Sequence, residues 1–393
     1  MGLTMKEKKA VSKEIAKRYK KARKREKGKI LDEFTKLTNY SRCYASYVLR
    51  NWAVELTPAI TKKRKRKRIY DYRVFTALKG IWIICGRICG KRLAPYLKEI
   101  VPILERHREL IVDKETKEKI LEISASTIDR LLSKEKAKMR LKGRARTKPG
   151  TLLKHQIPIR TFADWDEGRP GFVEIDLVSH DGGNARGDYA QTLDVTDVYT
   201  GWTETEAVKN KAQIWTFKAL KGIRERLPFK LLGIDSDNGS EFINAHLLRF
   251  CKQEKITFTR ARPYRKNDNC FVEQKNYSVV RKAVGYYRYE TKKELEMLNE
   301  LYKVLRLYTN FFQPVMKLVE KTRVGSKVIK RYDEAKTPYQ RVLDSAYVPE
   351  EDKERLRAEY DQLNPAELKR ELTKLKNRLM MEASAKHLGI EFK

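Results

Sequence analysis

Apolar positions change their rhythm along this 393-residue chain, and each rhythm predicts a different architecture. Over about 1–150 they recur every three or four residues, the spacing of one helix face. Ile30, Leu31, Phe34 and Leu37 form one such pattern, and Ala45, Val48 and Leu49 form the next. The break between them reads "LTNYS", where Asn39 favours a turn and Ser41 can cap the second helix. Two helices around a tight turn make a helix-turn-helix candidate, with Arg42, Tyr44 and Arg50 on the second helix. A second candidate lies in "ISASTIDRLLSKEK". There Ser124 can cap a helix carrying Ile128, Leu131 and Leu132, with Ser126, Thr127 and Arg130 outward.

From about residue 165 the period shortens to that of strands. "GFVEIDLVSH", "YAQTLDVTDVY" and "WTETEAV" read as three strands, the last two joined by a Thr-Gly turn. "KAQIWTFKALKGIRERL" then reads as a helix ending at Pro228, followed by strand "FKLLGIDSD" and helix "NAHLLRFCKQEK". An extended "ITFTRARPY" and a helical "NCFVEQKNYSVVRKAVG" complete the region. The order β-β-β-α-β-α-β-α predicts a mixed α/β sheet flanked by helices. Beyond it, "ELEMLNELYKVLRLYTNFF" is helical and "KTRVGSKVIKRY" fits a small hairpin through Val324-Gly325-Ser326. The terminal helix opens with Asn364 at its N-cap and Pro365 at its first turn. Its stripe of Leu368, Leu372, Leu375 and Leu379 is short enough to pack on its own chain, with a dimer contact as the alternative.

The expected division is therefore a basic arm with the first helix-turn-helix (1–60), a basic linker (61–69), a second helical DNA-binding region (70–145), a linker (146–164), an α/β core (165–290) and a mostly helical C-terminal region (291–393).

Charge narrows the partner. The chain has 87 Lys and Arg against 52 Asp and Glu, a net charge of +35, and 41% hydrophobic residues, enough for real cores. A surplus of that size implies a polyanion, with nucleic acid first and a membrane surface second. No run of 18 apolar residues occurs, and the N-terminus is charged throughout, so neither a membrane span nor a signal peptide is expected. A cytoplasmic location follows, on the nucleoid in a bacterium. The run "TKKRKRKR" (Thr61 to Arg68, including Arg64 and Arg66) reads as an arm lying along phosphates, and a nuclear localisation signal has the same composition.

Five scattered cysteines argue against a disulfide framework. Cys85 and Cys89, expected one helical turn apart, read as small residues on a packed face, or as half of a metal site for which no second pair lies nearby.

Three acids stand out. In "VEIDLVSH" Val173, Ile175 and Leu177 share one strand face, and Glu174, Asp176 and His180 share the other. Asp237 sits where "LLGIDSD" meets "NGSEF", and Glu273 sits on the helix "FVEQKNYSVVRK" after thirty-five intervening residues. Parity alone leaves Glu174 as a rival to Asp176 and Asp235 as a rival to Asp237. Asp194 and Asp197 read as turn and surface residues, and His180 as a structural hydrogen-bonder or a neighbour of the site.

An Asp, a second Asp followed by Asn-Gly, and a Glu at that distance resemble the catalytic triad of the DDE transposases and retroviral integrases. "DSDNGSEF" resembles their second motif, and "NDNCFVEQKN" their third. Bacterial insertion-sequence transposases, with helix-turn-helix regions ahead of the core, are the nearest fit. The zinc domain of retroviral integrases is absent, since no region combines two His with two Cys.

The resemblance covers roughly 165–290 and implies an RNase H-like fold. It also implies a DNA transposase acting by phosphoryl transfer with two Mg²⁺ ions (Mn²⁺ as a substitute), which would lie about 3.5–4 Å apart. Hard cations take oxygen ligands, so Asp176 would bridge both ions, Asp237 would complete one and Glu273 the other. Water would attack for cleavage, and a DNA 3′-hydroxyl for strand transfer. The implied partners are double-stranded DNA, both element ends and target, and further copies of the chain, with no membrane. Lys275 and Asn276 are expected to contact DNA near the cut, with Arg262, Arg265 and Lys266 in the loop "ARPYRKNDN". The rival readings are an RNase H-like nuclease without strand transfer and a non-catalytic DNA-binding regulator.

Overall fold

The computed structural model describes residues 3–52, 69–138, 168–237, 239, 241–262 and 269–388. They fall into two compact units, Met1–Ile69 and Tyr70–Lys393. The basic run Thr61 to Arg68, with Arg64 and Arg66, lies outside the described residues, as do Arg265 and Lys266.

The first unit is three helices: α1 (Met5–Lys21), α2 (Lys24–Thr38) and α3 (Arg42–Asn51). The expected basic arm is largely α1, opened by a capping box between Thr4 and Glu7. It is ordered because Ser12, Ala16 and Tyr19 recur on one face and are buried. Phe34, Ala45 and Leu49 close the small core. Asn39 ends α2 at φ 57°, and Ser41 caps α3 by accepting the Tyr44 N–H, so both turn residues behave as their chemistry predicts.

The second unit begins with five helices: α4 (Tyr72–Ile84), α5 (Gly90–Arg106), α6 (Lys114–Leu121), α7 (Ala125–Leu131) and α8 (Ser133–Ala137). Ser124 caps α7 by accepting the Thr127 N–H. Cys85 and Cys89 are not one helical turn apart. Gly86 and Arg87 both take positive φ, 70° and 61°, which breaks the helix and leaves Cys85 ending α4 and Cys89 preceding α5.

The α/β region follows the expected order without exception: β1 (Phe172–Ser179), β2 (Gln191–Asp197), β3 (Thr203–Val208), α9 (Gln213–Arg226), β4 (Gly233–Ser236), α10 (Ala245–Gln253), β5 (Thr257–Arg260) and α11 (Cys270–Lys275). A π-helical turn, Asn276–Arg281, continues α11 into α12 (Lys282–Val284). The five strands form one sheet in the order β3-β2-β1-β4-β5. β1 pairs antiparallel with β2 and parallel with β4, and β4 pairs parallel with β5. This mixed sheet with flanking helices is the RNase H-like core.

Helix α13 (Lys292–Phe312) packs on β3, and its Asn310 and Asn299 bond the backbone of Thr203 and Ala207. The helix assigned by sequence to a separate C-terminal region therefore covers the core sheet. The hairpin is β6 (Leu318–Val324) with β7 (Lys327–Tyr332), turning at Gly325. Helices α14 (Pro338–Asp344), α15 (Glu350–Gln362) and α16 (Pro365–Leu388) end the fold. Asn364 accepts the N–H groups of Ala366 and Glu367 at the start of α16. The α16 leucine stripe is buried, with α13 its main partner, so it is an intrachain face.

Candidate active site

The site is assembled where strand β4 ends beside the parallel strand β1, which runs on to Ser179. Ligand and catalytic groups collect at the carboxyl ends of such strands because the chain turns there into loops and helices. The register places Ile175 beside Ser236, so the next residues, Asp176 and Asp237, are brought together. Burial is the larger cause pushing the Asp176 carboxyl above its ordinary range, and the Asp237 charge adds to it. Asp237 is raised as well, again by burial first.

Local backbone fixes each carboxylate. Asp176 Oδ1 accepts the Leu177 N–H at 2.8 Å, and its Oδ2 accepts from Asn276 Nδ2 at 2.6 Å. Asp237 Oδ1 accepts the Gly239 N–H at 2.8 Å, a one-residue-skipping turn. A Cβ on Gly239 would stand 2.9 Å from that same oxygen and 2.6 Å from the Glu241 carboxyl carbon. The glycine of the Asp-Asn-Gly motif thus gives both carboxylates room, since a Cβ there would make them shift.

Glu273 is exposed on α11. Its charge reaches Glu174, one of the groups raising that carboxyl. Among the described residues no three His, Cys, Asp or Glu side chains form a metal-holding cluster. The donors that do meet are carboxylates only, which suits a hard divalent cation, and two mutually repelling acids are relieved by one. Asp176 and Asp237 would hold such an ion, with Glu273 completing the set from α11.

Three residues that sequence reasoning set aside, and Asn269, which it did not single out, prove to support the site. Glu174, offered there as a rival ligand, is fully buried and accepts the Val272 N–H at 2.9 Å, at the first turn of α11. Asp235, register partner of Glu174, accepts from Thr259 Oγ1 on β5. With its amide oriented to satisfy both neighbours, Asn269 donates to Asp235 Oδ2 at 2.9 Å and accepts the Asp237 N–H at 3.0 Å. Both carboxylates therefore fasten the start of the helix that carries Glu273.

Asp194 is the fourth. The expectation that Asp194 and Asp197 are turn and surface residues is wrong: both are buried in β2, whose seven residues are all covered. Polar alternation reads as a solvent face, but an inner strand is covered on both sides. Asp194 is the register partner of Asp176, and burial pushes its carboxyl up to about 7 while Lys275 opposes the shift. Among the described residues its Oδ2 has no hydrogen-bond partner. Asp197 instead braces the β2–β3 turn, accepting from Gly171 and Thr200 backbone N–H groups. The strand-face parity applied to Asp176 finds Asp194 once the two strands are paired.

His180 is buried and structural. Its Nε2 lies 2.7 Å from Thr192 Oγ1, which lies 2.6 Å from the Tyr302 hydroxyl. Lys275 is half-buried, donates to the Gly201 carbonyl at 3.2 Å, and is pushed down to about 8 by burial. Asn276 is engaged with Asp176, as above. Arg262, which follows β5, is exposed. On α3 Arg42, Tyr44 and Arg50 are exposed, with Arg42 paired to Asp32 and Tyr44 stacked near Tyr47. Arg130 on α7 is exposed.

The strand order, the paired acids at its centre and the helix bearing a third acid define an integrase-type DNA-processing core. The integrase core domain family matches residues 166–266, which include Asp176 and Asp237 and stop short of Glu273. An uncharacterised protein of Sinorhizobium fredii, y4rM, is 41% identical over 318 residues, covering 81% of this chain and 90% of that protein. The chain belongs to one family with y4rM, and its residues 166–266 carry an integrase core domain. Two solved structures resemble part of it at 16% identity. The catalytic core domain of BIV integrase covers 44% of this chain and 94% of its own length, with a TM-score of 0.30. The HTLV-2 integrase catalytic core domain in complex with magnesium covers 37% and 90%, with a TM-score of 0.29. No helix among the described residues is long and apolar enough to cross a membrane.

Glu174 yields a direct prediction. Glu174→Ala removes the acceptor at the first turn of α11 and, if the core cleaves DNA, is expected to lower cleavage on the order of 10²-fold, the scale of a misplaced catalytic group. Glu174→Gln keeps a carbonyl for the same N–H and stays within a few-fold of wild type. Single-turnover cleavage by the two variants decides it, with thermal melts to separate unfolding. Equal loss in both would make Glu174 more than a positioning residue.

Proposed function

We propose that this chain is a DDE-type transposase. It binds double-stranded DNA at element ends through α3 and α7, cleaves it, and joins the 3′-hydroxyl ends to target DNA. The observation that carries the reading is the meeting of Asp176, within β1, and Asp237, at the end of β4, inside an integrase core domain.

Asp176, Asp237 and Glu273 are the proposed ligands of Mg²⁺, for which Mn²⁺ can substitute. Such an ion, when bound, would activate an attacking oxygen and stabilise the leaving one. The protein's share is positional. Asn276 orients the Asp176 carboxylate, Gly239 lets the backbone close on Asp237, and Glu174 with Asp235 holds the start of α11. Arg42, Tyr44, Arg50, Arg130 and Arg262 would contact DNA, together with Arg64, Arg66, Arg265 and Lys266 from outside the described residues. Lys275 and Asn276 would act at the cut once DNA displaces their present partners. A multimer on paired ends fits the need to act on two ends at once.

The test is a product assay on duplex carrying the DNA that flanks the gene, with Mg²⁺ and a plasmid target. Transposition predicts cut ends and joined products that depend on the metal. Cut ends alone would favour a nuclease, and binding without cleavage a regulator.

A further inference from the structure

The second unit contains a cavity of about 380 Å³ beside α11. Seven of the side chains lining it are Lys or Arg, and none is Asp or Glu. Three sources converge on it. Arg87 and Arg92 come from the α4–α5 turn and the start of α5. Lys275 and Lys282 come from α11 and α12, and Lys369 and Lys376 from α16. Among the described residues none of these six forms an ion pair. The bonds that three of them do form are to carbonyls: Arg92 to Pro314, Lys275 to Gly201 and Lys376 to Lys282. Only the seventh cation, Lys136, is paired, with Asp129.

Such a cluster opposes its own formation. Lys369 is pushed down to about 8 by burial and then by Arg87, Lys376 and Lys282. Lys282 is lowered by burial and Arg92, and Lys376 by burial and Arg87. The backbone is also held against preference there. Arg87 is a non-glycine residue at φ 61°, and such conformations persist where surrounding structure imposes them. The turn is fixed by the Tyr308 hydroxyl, which donates to the Ile84 carbonyl at 2.5 Å. Ser278 and Thr373 add hydroxyls to the lining, that of Thr373 donating to the Lys369 carbonyl. A compact volume, cations from three directions, hydroxyls and no acid match several phosphates on one flexible chain. A duplex is too wide to enter such a volume.

We propose that this cavity is a polyphosphate site that takes a run of two or more phosphoryl groups, supplied by a single-stranded DNA backbone or by a free polyphosphate. The site does not depend on the catalytic assignment above. Its occupant would neutralise the cluster and tie the α4–α5 hairpin, α11 and α16 together.

The test uses the full chain and two probes, inorganic tripolyphosphate and a twelve-residue oligo(dT), titrated calorimetrically at fixed salt. Lys369→Met/Lys376→Met keeps the aliphatic stems and should not lower the ligand-free Tm. Tripolyphosphate should raise the wild-type Tm, and its affinity should fall at least 10-fold in that variant. The control Lys252→Gln/Lys292→Gln, which removes two exposed cations elsewhere, should stay within twofold of wild type. Lys282→Glu, at an exposed position on the cavity rim, provides a second variant should the first not fold, with at least the same loss. If oligo(dT) weakens in parallel, the strand backbone is the source. If only tripolyphosphate weakens, the source is a free polyphosphate. Unchanged tripolyphosphate binding in the cavity variants, or an equal loss in the control, would overturn the proposal.

Discussion

Asp176→Asn and Asp237→Asn are each expected to lower strand cleavage at least 10³-fold, about 4 kcal/mol of transition-state stabilisation. DNA binding should change less than about threefold, because one buried carboxylate contributes little to a surface field built from a net charge of +35. The substitutions are isosteric, and each carboxyl sits where burial disfavours its charge. The metal-free Tm therefore should not fall. Cleavage and filter-binding assays on the same preparations separate the outcomes. A variant that cuts at more than a tenth of the wild-type rate would remove that residue from the proposed ligand set. A loss of activity together with a lower Tm would point to misfolding instead.

Arg306→Met should cost about 3 kcal/mol of stability, the lower end of what breaking a buried ion pair costs. Glu204 on β3 is 1% exposed and accepts from Arg306 Nε at 2.7 Å and Trp202 Nε1 at 2.8 Å. Arg226 remains as a more distant partner at 3.4 Å, which keeps the cost from being larger. Arg306 also reaches Glu359 on α15, so one guanidinium joins β3, α13 and α15. Urea unfolding followed by tryptophan fluorescence measures the loss, with Trp202 packed on Phe311 beside the pair. The double variant Glu204→Gln/Arg306→Met should regain at least half of it, because the stranded charge is gone. A single-variant cost below about 1 kcal/mol would mean that Arg306 is not what compensates Glu204.

The sites differ in how far they could be read in advance. Asp237 was distinguishable from Asp235 through the Asn-Gly that follows it, and Gly239 supplies the reason: its backbone N–H bonds the Asp237 carboxylate, which a Cβ there would crowd. Asp235 needed the fold. Its partners lie on β5 and at Asn269, both later in the chain, and no local pattern links them. Asp194 was misread because a polar alternation has the same form in an exposed strand and in an inner one. The Cys85–Cys89 spacing misled for a different reason. A helical period says nothing of the positive φ at Arg87, which a glycine usually signals and an arginine does not.

The amino-acid sequence alone determined the order of elements in the core, the caps at Ser41, Ser124 and Asn364, the hairpin at Gly325 and the three acids worth watching. These are local matters of periodicity, turn chemistry and motif spacing, and neighbouring residues suffice to set them. Only the tertiary structure decided that α13 covers the sheet, that Glu174 and Asp235 hold α11, that Asp194 stands beside Asp176, and that six cations from three distant segments, with no ion pair among the described residues, line one cavity. Pairing and burial depend on which strands and helices meet, and those contacts join residues up to hundreds of positions apart.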